Sequence, residues 1–171
     1  MDQALLITGT VGAGKTTVAD ALGDLLAGRA VPHAVIDIDR LRHSWPSPPG
    51  DPFRHDLALA NVAAVTRNYA ATGARRLVLA GVVESHEERA DYARAVGVPL
   101  RVCRLIVGLA VVRDRLTARH HHDPDALRWH LARSGDLDTI LTHAAVEDTT
   151  VEAGDAPPPE VARRVAAAAG W

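Results

Sequence analysis

Apolar residues follow two rhythms along this chain, short unbroken runs and longer stretches with helical spacing, and the two alternate. Ala4–Thr8 is an apolar run ending at Gly9, which predicts a buried strand. Val18, Leu22, Leu25 and Leu26 then recur at helical spacing until Gly28 stops the helix. His33–Ile38 predicts a second strand, Leu77–Val83 a third and Arg101–Val107 a fourth. Between them the pattern predicts a helix from Leu57 to about Thr72, stopped by Gly73, and one from Ser85 to Val96, closed by Gly97. The Pro- and Gly-rich stretch Ser44–Pro52 reads as a loop.

Beyond the fourth strand, a helical stripe includes Leu109, Val112 and Leu116. Asp123 and Pro124 form an N-cap and first-turn pair for a helix running to Ser134, with Gly135 as its stop. A further short helix is expected over Leu137–Ala144, a weaker fifth strand over Val146–Val151, and a terminal helix over Pro158–Ala169. Strands separated by helices of this length imply right-handed crossovers and a parallel sheet covered on both faces. The expected fold is therefore a single three-layer α/β domain over residues 1–171, with no internal repeat and no linker.

Bulk properties narrow the function. The 171 residues suit one domain, and 47% hydrophobic with 23% charged residues is ordinary for a globular protein. A net charge of -2 argues against a nucleic-acid binder that works by neutralising phosphates. No run approaches a membrane span, and the start, Met1-Asp2-Gln3, lacks the basic character of a signal peptide, so a cytoplasmic protein is expected, as a monomer or homodimer. Cys103 is the only cysteine; its apolar neighbours make it a core thiol of a reducing compartment.

Arginine carries nearly all the positive charge, and Lys15 is the only lysine. It stands in Gly9-Thr10-Val11-Gly12-Ala13-Gly14-Lys15-Thr16, the pattern G-x-x-x-x-G-K-[ST] between a predicted strand and a predicted helix. Glycines let the main chain wrap so that amides converge on phosphate oxygens, and the positive end of the following helix points at the same anion. Lys15 is placed to reach the β- and γ-phosphates and Thr16 to ligate Mg²⁺, while Thr17 supports the loop or the base site. A guanine-reading Asn-Lys-x-Asp motif needs a second lysine, so ATP is the expected nucleotide.

Asp37 and Asp39 alternate with Ile38 at the carboxyl end of the second strand, where α/β sheets place ligands, and are expected on one side of it. One can organise Mg²⁺ and water and the other accept the proton of an acceptor hydroxyl. Asp37 is assigned metal and base work and Asp39 the substrate hydroxyl, with the exchange of roles left open.

With Asp-x-Asp-x-x-Arg completed by Arg42, the run Met1–Arg42 resembles the small-molecule kinases grouped around shikimate kinase, gluconate kinase, adenylylsulfate kinase and chloramphenicol phosphotransferase. The resemblance implies phosphoryl transfer from MgATP to a hydroxyl of a small molecule, in a five-stranded sheet with a mobile lid. It also implies that Arg115 and Arg119, four apart on one helix face, close over the γ-phosphate. The candidate lid covers about 119–135 and includes the solvated tract His120-His121-His122-Asp123. One departure stands out: the third strand, through Glu84, carries no aspartate, which throws the metal work onto Asp37 or Asp39.

Substrate-side candidates are Arg42, Trp45, Phe53, Asn61, Gly81 and Glu84. Trp45 and Phe53 form either a binding wall or a minor cluster under a loop. Asn61 meets substrate or satisfies a backbone group, Gly81 contacts substrate, as its resemblance in position to shikimate kinase glycines implies, or simply packs, and Glu84 contacts substrate or caps the next helix. Three functions remain in play: a metabolite or antibiotic kinase, a nucleoside or nucleotide kinase, and a non-catalytic ATP-binding module.

Overall fold

Alternation along the first strand sends Leu5 and Ile7 to one face of the sheet and Ala4 and Leu6 to the other, and all four are buried. That strand is therefore central. A computed structural model describes residues 1–171. In chain order the elements are β1 (Gln3–Thr8), α1 (Lys15–Gly28), β2 (His33–Asp37), α2 (Ile38–Leu41), α3 (His55–Ala71) and β3 (Arg76–Ala80). They continue with α4 (His86–Val96), β4 (Leu100–Ile106), α5 (Leu109–Arg119), α6 (Pro124–Ala144), β5 (Thr149–Glu152) and α7 (Pro158–Ala169).

All strand pairs are parallel, in the order β2-β3-β1-β4-β5. Two cores result. Leu22 and Leu26 of α1 and Val161 and Val165 of α7 pack on one face with Leu5, Ile7 and Cys103. Val62 of α3 and Tyr92 and Val96 of α4 pack on the other with Leu6, Leu79 and Val102. The strand order reverses beside β1, and the crevice so formed at its carboxyl end is where such sheets bind ligands.

Three expectations are corrected. First, α6 does not stop at Gly135 but runs unbroken to Ala144, absorbing the separate short helix. A glycine inside a helix costs about 1 kcal/mol. Burial of Leu137 and Leu141, and a bond from Ser134 Oγ to the Val11 carbonyl (3.2 Å), outweigh it. Second, β5 begins at Thr149, because Val146 turns into the opposite core and the Asp148 carboxylate accepts the Val102 amide at 2.8 Å. Third, β2 ends at Asp37, and Asp39 sits in the first turn of α2 instead of alternating with it on a strand. The Asp37 carboxylate accepts the Asp39 amide at 2.9 Å, an N-cap that turns the chain one residue early.

Candidate active site

The loop between β1 and α1 is shaped by glycines in conformations that L-residues avoid. Gly12 has φ 81°, and a β-carbon there would stand 3.1 Å from Val112 and 3.2 Å from Leu116 of α5, so both the turn and the packing demand glycine. Gly14 at φ 90° is the N-cap of α1 and offers no side chain to its first amides. Those amides are left for an anion.

Lys15 is held beneath this loop. Its Nζ donates to the carbonyls of Thr10 (2.9 Å) and Gly9 (3.1 Å). Burial lowers its pKa from 10.5 to about 8, against the opposing pull of Asp39 and then Asp37, and Arg119 adds to the lowering. A half-buried ammonium with no carboxylate in contact is a charge suited to an anionic ligand. Next to it the Thr16 hydroxyl donates to Asp37 Oδ2 at 2.9 Å. A hydroxyl and a carboxylate meeting at the loop are hard oxygen donors of the kind Mg²⁺ takes, and the two residues fit that ion.

Two cavities flank the loop. The first, about 360 Å³, is lined by Gly12, Ala13, Gly14 and Thr17, by Arg115 and Arg119, and by the segment from Ala153 to Pro158. Arg115 is already engaged there: it donates to the Gly154 carbonyl at 2.6 Å and reaches the carbonyls of Ala13 (3.4 Å) and Gly12 (3.5 Å). Arg119 makes no hydrogen bond or ion pair within the protein and is exposed.

The second cavity, about 750 Å³, lies on the Val11 side of the loop and is lined by Asp39, Arg42, Phe53, His55, Glu84 and Tyr92, among others. Arg42 donates to the Tyr92 hydroxyl at 3.3 Å, and its Nε lies 3.6 Å from Asp39. Burial raises the Tyr92 pKa, so the phenol stays protonated. Glu84 pairs with Arg133 of α6 across the cavity.

Three of the substrate-side candidates stand elsewhere. Asn61 Nδ2 donates to the Leu41 carbonyl at 2.7 Å, satisfying the end of α2. Gly81 is pressed against Ile38, where an added β-carbon would come within 2.7 Å of Cδ1. Trp45 is 91% exposed and borders neither cavity. Conversely, Glu88, Tyr92, Trp129 and Arg133 line the second cavity without having been candidates for it. Tyr92 carried a usable signal: a lone phenol on the apolar stripe of α4, whose hydroxyl needs a partner. Nothing in the sequence marks Ala153–Pro158 as a cavity wall.

A family model of adenylylsulphate kinase matches residues 1–142. The chain belongs to that family. It is thereby a P-loop small-molecule kinase, of a group that uses ATP and typically Mg²⁺. Among solved structures, the tunicamycin resistance protein of Deinococcus radiodurans is similar with a TM-score of 0.71 and 21% identity, over 100% of this chain and 97% of that one. A gluconokinase from Sinorhizobium meliloti gives 0.60 and 20%, over 98% and 91%. The Mycobacterium tuberculosis APS kinase, in complex with AMPPNP and APS, gives 0.58 and 20%, over 99% and 98%. These likenesses establish the kinase fold of this family member. A search of curated proteins finds no significant match. No helix is long and apolar enough to cross a membrane.

Proposed function

We propose that this kinase transfers the γ-phosphoryl group of ATP to a hydroxyl group of a small molecule. One observation carries the reading: the glycine loop is a common wall, with Gly12–Gly14 on the first cavity and Val11, beside Asp39, on the second. A donor in one and an acceptor in the other would face each other across this loop, which runs directly into Lys15 and Thr16.

The nucleotide belongs to the first cavity, and its phosphates to the loop amides and Lys15. Thr16 and Asp37 would hold Mg²⁺, which supplies charge neutralisation on the β- and γ-phosphates when bound. Asp37 already accepts from Thr16 and from the Asp39 amide, which suits it to fixed ligand work. Asp39 borders the acceptor cavity and is mostly exposed, so we assign it the base. In the step, the acceptor oxygen bonds to the γ-phosphorus, the bond from that phosphorus to the β,γ-bridging oxygen breaks, and the hydroxyl proton passes to the Asp39 carboxylate. ADP and the phosphate ester leave.

Arg119, free of partners and facing the first cavity, is the residue we assign to the charge that builds on the transferred group. The lid is assigned to 119–135, the end of α5 and the first turns of α6, with closure excluding water. The test is ADP formation by purified protein against a panel of hydroxyl compounds with MgATP. Acceleration that disappears in Lys15→Ala supports the reading. Acceleration unchanged in Lys15→Ala, or none with any acceptor while ATP still binds, sinks it.

A further inference from the structure

An acceptor that carries a carboxylate, sulfate or phosphate needs an uncommitted cation in its own cavity. The second cavity offers two guanidiniums, one paired with a carboxylate and one partly satisfied. Arg133 is paired with Glu84. Arg42 donates to the Tyr92 hydroxyl and faces Asp39 at 3.6 Å. The only lysine of the chain belongs to the glycine loop, so no ammonium can be recruited. Against these two cations, and His55, whose ring lies 3.5 Å from Asp91, stand three carboxylates, Asp39, Glu84 and Glu88. Glu88 accepts the Glu84 amide at 2.7 Å but has no cationic partner.

The same cavity has an aromatic mouth. Phe53, from the loop before α3, is 80% exposed, and Trp129, from α6, is 61% exposed, although each lines the cavity. Val82 and Leu137 add apolar wall. Large aromatic faces left open at a cavity entrance are surface that a ligand can cover. Beside the one unpaired carboxylate, Glu88, they also favour a cation.

From the proposed kinase reading, on which this step rests, we infer that the acceptor carries no anionic group: it is an uncharged or cationic hydroxyl compound with an apolar flank. The charge balance selects against phosphorylated and carboxylated acceptors, and the aromatic mouth against small bare sugars. Glu88 is the residue that favours a cation, and Phe53 and Trp129 are those that read the apolar flank.

The test uses ADP formation by the full chain with MgATP over hydroxyl compounds in three charge classes: sugars and nucleosides, amino sugars and arylalkyl amino alcohols, and sugar acids with nucleotides. Compounds that accelerate ADP formation are expected only in the uncharged and cationic classes, with the aryl-bearing members fastest. Glu88→Gln, which can still accept the Glu84 amide, should lower kcat/KM for cationic relative to uncharged acceptors by about tenfold. ATP affinity should not change. Fastest turnover of an anionic compound overturns the inference and leaves the kinase reading standing. A cationic-to-uncharged ratio unmoved by Glu88→Gln removes the role given to Glu88 and with it the charge argument. No turnover in any class, with ATP still bound, fells the kinase reading and this inference together.

Discussion

Thr16 and Asp37 are 21 residues apart in sequence, yet the threonine hydroxyl donates to the aspartate at 2.9 Å, joining the first turn of α1 to the end of β2. The same carboxylate caps α2 through the Asp39 amide. Its two oxygens therefore serve different partners, one the Thr16 hydroxyl and one a helix start.

Asp37→Asn separates these duties. Asparagine caps a helix about as well as aspartate, so stability should change by less than about 0.5 kcal/mol. The anionic metal ligand is gone, and kcat should fall by about 10²-fold or more with ATP affinity changed far less. Paired thermal unfolding and steady-state kinetics check this. A normal kcat with a raised KM means that Asp37 only positions substrate.

Lys15 should make nucleotide binding pH-dependent. With its pKa lowered to about 8, the ammonium loses its proton as pH rises through that value, and a neutral amine attracts phosphates less. ATP affinity should therefore weaken above pH 8. Bound phosphates restore the charge, so binding at pH about 9 should take up nearly one proton, against close to none at pH about 6.5. Calorimetry in buffers of different ionisation enthalpy reads this directly. Lys15→Ala should abolish both the proton uptake and phosphoryl transfer.

Arg115 and Arg119 share a helix face but should respond differently. Arg115→Ala removes the bond to Gly154 and the contacts to the glycine loop, so it should lower Tm and weaken ATP binding together. Arg119 has no internal partner to lose. Arg119→Ala should leave Tm within about 1 °C and reduce kcat by roughly 10³-fold, as loss of a phosphate-clamping arginine does. Equal Tm losses in the two variants would contradict the assignment.

Gly81→Ala probes a junction away from either cavity. The new methyl would meet Ile38 Cδ1 at 2.7 Å and its Cβ at 3.1 Å. Overpacking of this kind costs about 1–3 kcal/mol. Ile38 lies between Asp37 and Asp39, so denaturant titration should show the stability loss and kinetics a fall in kcat without loss of ATP binding. Unaltered stability would show that the site has slack.

Local signals were legible where one stretch of chain supplies the whole reason. Asp123 caps α6, as expected, by accepting the Ala126 amide at 2.9 Å, whereas α4 is capped by Ser85, which accepts the Glu88 amide at 3.1 Å, and not by Glu84. Gly135 misled because its cost is local, whereas the burial of Leu137 and Leu141 that overrides it is not. Asp39 was misplaced because a strand and a short helix differ there by one N-cap, which periodicity does not see.

The sequence by itself determined the alternation of strands and helices and the glycine loop with its one lysine, because backbone freedom, apolar period and a single ammonium are properties of neighbouring residues. Tertiary structure alone decided which side chains share a cavity. Arg133 meets Glu84 and Arg42 meets Tyr92 only once the segments after β2 and β3 meet α4 and α6 around one cavity. Whether a charge is spent or available depends on those distant partners, which no local pattern of the chain reveals.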